Sequence, residues 1–287
     1  MSSSLWPYRY TSPTPDQLRE RRELLTLRGQ YAQLSVLVFL LMLGVYRLAT
    51  RKSSSSSAAG TQKRTPKSSW LDTPLEPGAP ESRRQYLVAG AWFVWLLALS
   101  VWRTGDDYLH LTKSLAHTTL ATLPLHPLLA PKLSPQTNPF TLLHTRLFHL
   151  PQTHLTPYHR LFGWLVFPTL LFLHAGLYVT FFMQKGLLQK RLGDADVQWG
   201  FVAVTGLVGL VGVARWMGAG MGRGGGGGGG KGGGKGWMRG YVVHVGLVMG
   251  VLGAVYCHVE YARGFVGWTL VVYGVDVGSW VVKRWLR

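Results

Sequence analysis

The chain has 287 residues, of which 47% are hydrophobic and 15% charged, with 36 Gly, 12 Trp and a single Cys. Soluble domains carry about 25% charged residues, so an ordinary soluble enzyme is excluded. The net charge of +18 comes from basic residues lying between long apolar runs, which points to an integral membrane protein with basic loops rather than to a nucleic-acid partner. One cysteine, Cys257, excludes an internal disulfide and any CxxC metal site.

Residues 1–30 form a polar N-terminal segment, and with no apolar stretch near Met1 no conventional secretory signal is expected. The first apolar run, 31–46, predicts a transmembrane helix that extends through its ends. Residues 47–85 read as a disordered Ser/Pro-rich linker, with five Ser at 53–57. Further apolar runs occupy 86–102, 161–182, 197–214, 240–259 and 265–282, each near the roughly 17–25 residues that cross a bilayer as helix. The stretch 108–131 is the weak candidate because it holds His110, His117, His126, Pro124 and Pro127. The expected fold is therefore an all-α membrane bundle of about seven helices, or six if 108–131 does not cross. Residues 218–240 include seven consecutive Gly at 224–230 and read as a floppy loop. No strand precedes that run and no GK[ST] closes it, so it is not read as a phosphate loop.

With seven spans, 19 of the 30 Lys and Arg fall on the side of 47–84, 132–160, 215–239 and 283–287, and 11 on the other. The richer side should be cytosolic, which puts the C-terminus inside.

Ionisable residues within a span are functional candidates. His159 and His174 bracket one strong span, and His244 and His258 bracket another, 15 and 14 residues apart. At about 100° per residue, 14 steps return to within roughly 40° of the starting face and rise about 21 Å. Each helix thus shows two imidazoles on much the same face, one near each end. One strong span separates the two helices, so they run parallel, and His159 can face His244 while His174 faces His258. Such pairs can ligate a haem iron from both sides, and two stacked haems would carry electrons across the bilayer. The wider spacing of the first pair coincides with Pro168, whose missing donor and clash with the Trp164 carbonyl predict a kink or π-bulge that absorbs the extra residue. His110, His117, His126, His144, His149 and His154 have no partner at a helical repeat and are read as loop, interface or packing residues. Asp276 in the last span either hydrogen-bonds within the bundle or lines a polar path.

The stretch 117–262 resembles the transmembrane domain of fungal ferric reductases, relatives of the NADPH oxidases. The resembling pieces are LPLHPLLAPK (123–132), NPFTLL (138–143), HRLFGW (159–164), FLHAGLYVTFF (172–182), GLLQKRLGDADVQWG (186–200) and RGYVVHVGLVMGVLGAVYCHV (239–259). The resemblance implies a ferric reductase-like haem domain over 86–287, with two b-type haems held by His159, His174, His244 and His258. It further implies electron delivery to an extracytosolic acceptor, chiefly ferric chelates, with cupric ions and oxygen as the wider family's alternatives, and a place in iron uptake at the plasma membrane. The chain departs from the family in the 15-residue spacing and in the Gly insertion. No segment resembles the FAD- and NADPH-binding domains of family members, so those cofactors are expected only through a missing domain or a separate flavin reductase. The helices that carry the His enter from the basic side, which makes His159 and His244 the inner pair and His174 and His258 the outer. Arg160 and Arg239 then lie near the inner level, where they could pair with haem propionates. Competing readings are a truncated or degenerate relative without turnover, and a transporter that uses the His to move protons or metal.

Overall fold

A computed structural model describes residues 8–55, 69–76, 79–223 and 233–286. It is an all-α membrane bundle: among the described residues there is no strand, only the isolated bridges Arg9–Asp107 and Pro74–Ser82. Six helices are long and apolar enough to cross a bilayer: Pro15–Ala49, Arg83–Val101, Gln152–Gln184, Ala195–Met217, Met238–His258 and Glu260–Trp285.

Helix α1 (Pro15–Ser55) starts well before the first apolar run and continues past it. Residues 15–30 of the polar segment and 47–55 of the expected linker are therefore helical. The apolar run marks only the part of the helix that faces lipid. The expected linker also contains a short 3-10 turn, Trp70–Asp72; its central part, 56–68, lies outside the described residues. Helix α2 (Arg83–Val101) opens where the Ser82 N–H donates to Gln85 Oε1, one half of a capping box.

Helix α3 (Tyr108–Ala121) is the weak third candidate. It has 14 residues, too few to cross as a single helix, and 12 of them are buried. It opens at Asp107, whose carboxylate accepts from the backbone of Leu109 and His110. Thr112 and Thr119 hydroxyls donate to the carbonyls one turn back, at Tyr108 and Leu115. Such back-bonding lets a polar helix sit inside protein at membrane depth. After a turn at Thr122–Pro124, α4 (Leu125–Leu129) carries the chain on to the far end. The polarity of this stretch reflects protein on every side of it, not exposure to water.

Helix α5 (Pro139–Leu147) is capped by Asn138 and leads to α6 (Gln152–Leu161). A π-helical turn, Phe162–Val166, joins α6 to α7 (Phe167–Gln184). Then follow α8 (Leu188–Leu192), α9 (Ala195–Arg223), α10 (Gly233–His258) and α11 (Arg263–Trp285). Within the expected Gly-rich loop, 218–223 and 233–240 are thus helical, while the seven-Gly run lies outside the described residues.

Contacts sort the connections onto two ends. At the N-terminal end, Arg9 N donates to Asp106 O, Tyr108 OH to Leu177 O, and Lys185 lies over the Tyr10 ring. At the C-terminal end, Arg84 meets Tyr46, Arg160 meets Glu81, Arg215 lies over Trp164, and Lys283 donates to Gln136. The chain therefore traverses the bundle seven times, the third time through α3 and α4.

Asp276 has a structural partner. Its carboxylate accepts from Asn138 Nδ2 (2.9 Å) and from Leu133 N, tying the 130–138 connection to α11. Lys132, buried beside it, donates to the Pro127 carbonyl.

Candidate haem site

The two His-bearing helices, α6–α7 and α10, run in the same direction. Helix α10 packs most closely along α9, and α7 along α3, while Phe167 and Leu171 of α7 share one apolar cluster with Val251 and Val255 of α10. The π turn lies between His159 and His174, directly before Pro168. A π turn takes up one residue more than an α turn, so the 15-residue spacing acts as one of about 14.

At the C-terminal end, the His159 and His244 rings have centroids 6.4 Å apart with planes at 71°. Two imidazoles ligating one metal from opposite faces, each nitrogen about 2 Å from it, have centres about 6 Å apart. At the N-terminal end, His174 of α7 and His258 of α10 are the corresponding residues on the same two helices.

Hydrogen bonds fix the tautomers. His159 Nδ1 pairs with the His126 carbonyl (3.1 Å), His174 Nδ1 with the Thr112 carbonyl (2.7 Å), and His258 Nδ1 with the Asp196 carbonyl (2.5 Å). A carbonyl only accepts, so each Nδ1 carries the proton and each Nε2 keeps its lone pair. Metal-ligating His are oriented in this way by outer-shell acceptors. The fourth, His244, has a buried Nδ1 that finds no partner among the described residues, a polar atom that a bound group or water must satisfy.

All four His are half-buried. Gly200 makes room at one of them: a Cβ there would sit 2.9 Å from His258 Cε1. Between the two levels, Phe167, Leu171, Val248, Val251 and Val255 belong to one apolar cluster. The His159–His244 pair therefore fits a bis-imidazole group, and His174 and His258 present the same tautomer at the other end of the same two helices. No cluster of three or more His, Cys, Asp or Glu among the described residues could hold a bare metal ion.

The arginines at the C-terminal end differ. Arg160 Nε is bonded to the buried Glu81 carboxylate (2.5 Å), whereas Arg239 is exposed at the start of the described part of α10. Lys132 is a further cation at this end, and burial pushes its ammonium down to about 8, opposed by the Asp276 carboxylate. His126 packs, as the sequence suggests, but its backbone also takes part in the site. Its carbonyl orients His159, and its ring lies 6.1 Å from the His159 ring and 4.9 Å from Phe167. His144 does pack, its Nδ1 donating to the Leu150 carbonyl. His117 is buried against Tyr261 and Phe265 with neither ring nitrogen bonded.

No family model, curated protein or solved structure matches the chain.

Proposed function

We propose that the chain is a transmembrane electron conduit of the ferric reductase type, holding one haem b between His159 and His244 and a second between His174 and His258. The observation that carries this reading is the tautomer pattern. Three of the four His donate Nδ1–H to a backbone carbonyl and leave Nε2 free, and the one pair whose rings can be measured against each other stands 6.4 Å apart.

Bound haem supplies one-electron redox chemistry. The chain's own residues do the rest. The carbonyls of His126, Thr112 and Asp196 hold three rings in the ligating tautomer and raise their basicity. Phe167, Leu171 and Val251 keep water out between the levels. Arg239 and the Nη atoms of Arg160 are the cations at the inner level suited to carboxylate groups. The basic C-terminal end faces the cytosol, and a separate flavin reductase there delivers the electrons. The acceptor on the other side is a ferric chelate, with a cupric ion as the alternative, and the setting is iron uptake at the plasma membrane.

Vesicles carrying only this 287-residue chain test the reading. Dithionite sealed inside reduces an external ferric chelate, and NADPH inside does not, because two-electron hydride donors need a flavin to feed one-electron carriers. External iron reduction no faster than in protein-free vesicles overturns the proposal.

A further inference from the structure

Arg28 of α1 lies inside a candidate span with its side chain fully buried. Its Nη1 meets His110 Nε2 at 2.9 Å and Ser114 Oγ at 3.1 Å, and its Nη2 donates to the Trp102 carbonyl. Its Nε is buried with no partner. Every one of these partners is uncharged. Among the described residues no Asp or Glu forms an ion pair with Arg28. The nearby carboxylates are engaged elsewhere: Asp107 pairs with Arg21 and caps α3, and Glu20 pairs with Arg103. Asp106 and Lys113, the other charges on the flanking 102–113 stretch, are both exposed. A guanidinium stays protonated in proteins, so Arg28 is a permanent positive charge that, among the described residues, has hydrogen-bond partners but no ion-pair partner. A charge kept buried without a counter-charge is costly, which makes Arg28, three residues before the apolar run, a functional candidate.

Its place in the fold indicates what it acts on. His110 and Thr112 share one turn of α3; the first bonds Arg28, and the carbonyl of the second bonds His174. The first turns of α3 thus set the guanidinium near the His174–His258 level. The His159–His244 level lies about 21 Å further along the helices. Coulombic influence falls with distance, and in a low-dielectric interior salt screens it little.

We infer that Arg28 is a positioning residue for electron flow: its buried charge raises the reduction potential of the haem held by His174 and His258 above that of the haem held by His159 and His244. This rests on the haem reading. One electron enters, no bond forms or breaks, and no proton is required. The reduced state, one charge more negative, is the one a fixed cation stabilises. Electrons then run downhill toward the N-terminal end.

Redox titration of the purified full chain tests this, with His159→Ala and His174→Ala identifying which component belongs to which level. In the wild type the His174–His258 component must titrate at the higher potential; the reverse order overturns the inference without any variant. Arg28→Gln keeps polar donors near His110 and Trp102 but removes the charge. It should lower the reduced-to-oxidised ratio of the His174–His258 component at least tenfold at fixed ambient potential, about 59 mV for a one-electron couple. The other component should move less than twofold, and Arg28→Lys should restore the wild-type order. Ser114→Asp leaves Arg28 in place and sets a carboxylate beside it, so it should produce the same fall even where Arg28→Gln fails to fold. Full haem content with no such fall in either variant, or an equal fall in both components, overturns the inference alone. A wild-type chain without haem overturns the parent reading as well.

Discussion

The four histidines are not equivalent in what holds them. His159, His174 and His258 are each fixed by a backbone carbonyl, and His244 by packing alone. Removing either partner of a pair should therefore cost one haem. His159→Ala or His244→Ala should halve the haem per chain, His174→Ala or His258→Ala should halve it by losing the other, and His154→Ala should leave both; haem assay on purified protein measures this. Lys132 gives a pH-dependent expectation. Its folded pKa, about 8, lies below the unfolded value near 10.4, so the folded chain binds fewer protons between those values. Stability at this site should then rise with pH through that window and be flat below it. Thermal unfolding in detergent of wild type against Lys132→Met should show the difference shifting toward wild type from pH 8 to 10. What the sequence concealed at this scale was the set of acceptors. The carbonyls of His126, Thr112 and Asp196 belong to any residue type, so no pattern of side chains announces them. Asp276 was ambiguous for a related reason: its partner Asn138 is 138 positions away, on a connection whose course no local signal specifies.

At the level of elements, the His-bearing helices solve the register problem in different ways. Helix α10 runs without a break through both of its His, whereas α6–α7 needs the π turn at Phe162–Val166. Deleting Gly163 should convert that turn to α-helix and leave His159 and His174 on one face, so both haems remain. Deleting Leu247 should rotate His258 by about 100° against His244 and remove one haem. Haem content and absorption spectra of the two deletions check this; equal loss in both would count against the π turn as the register device. This feature was legible, because an extra residue and Pro168 fell within the same interval. The length of α1 was not. Its ends are polar, and a helix that leaves the lipid loses the hydrophobic contrast by which runs are recognised. Helix α3 misled in the opposite direction. His110, Thr112, His117, Thr118 and Thr119 look unsuited to a membrane, yet all are buried by protein, where back-bonding and neighbours meet most of their polar groups.

For the whole molecule, the two ends of the bundle differ in charge as well as in position. The connections at the C-terminal end carry 19 of the 30 basic residues. A tag at Arg287 should accordingly be reached by protease only after cells are permeabilised, and cleavage in intact cells would reverse the proposed direction of electron flow. Six traverses, the two ends and the parallel course of the His helices follow from counting apolar runs, since lipid imposes length and polarity on every segment that faces it, whereas the third, through α3 and α4, does not, because protein surrounds it. The packing partners of each His helix did not, because they depend on which neighbours each helix chooses. The proposed function requires the four His to hold two haems. The most direct measurement is haem stoichiometry with reduced-minus-oxidised spectra of the purified chain. Two haems per chain with low-spin b-type bands, resolved into two redox components, is the predicted result. A chain that folds as a helical membrane protein and is colourless would contradict the account.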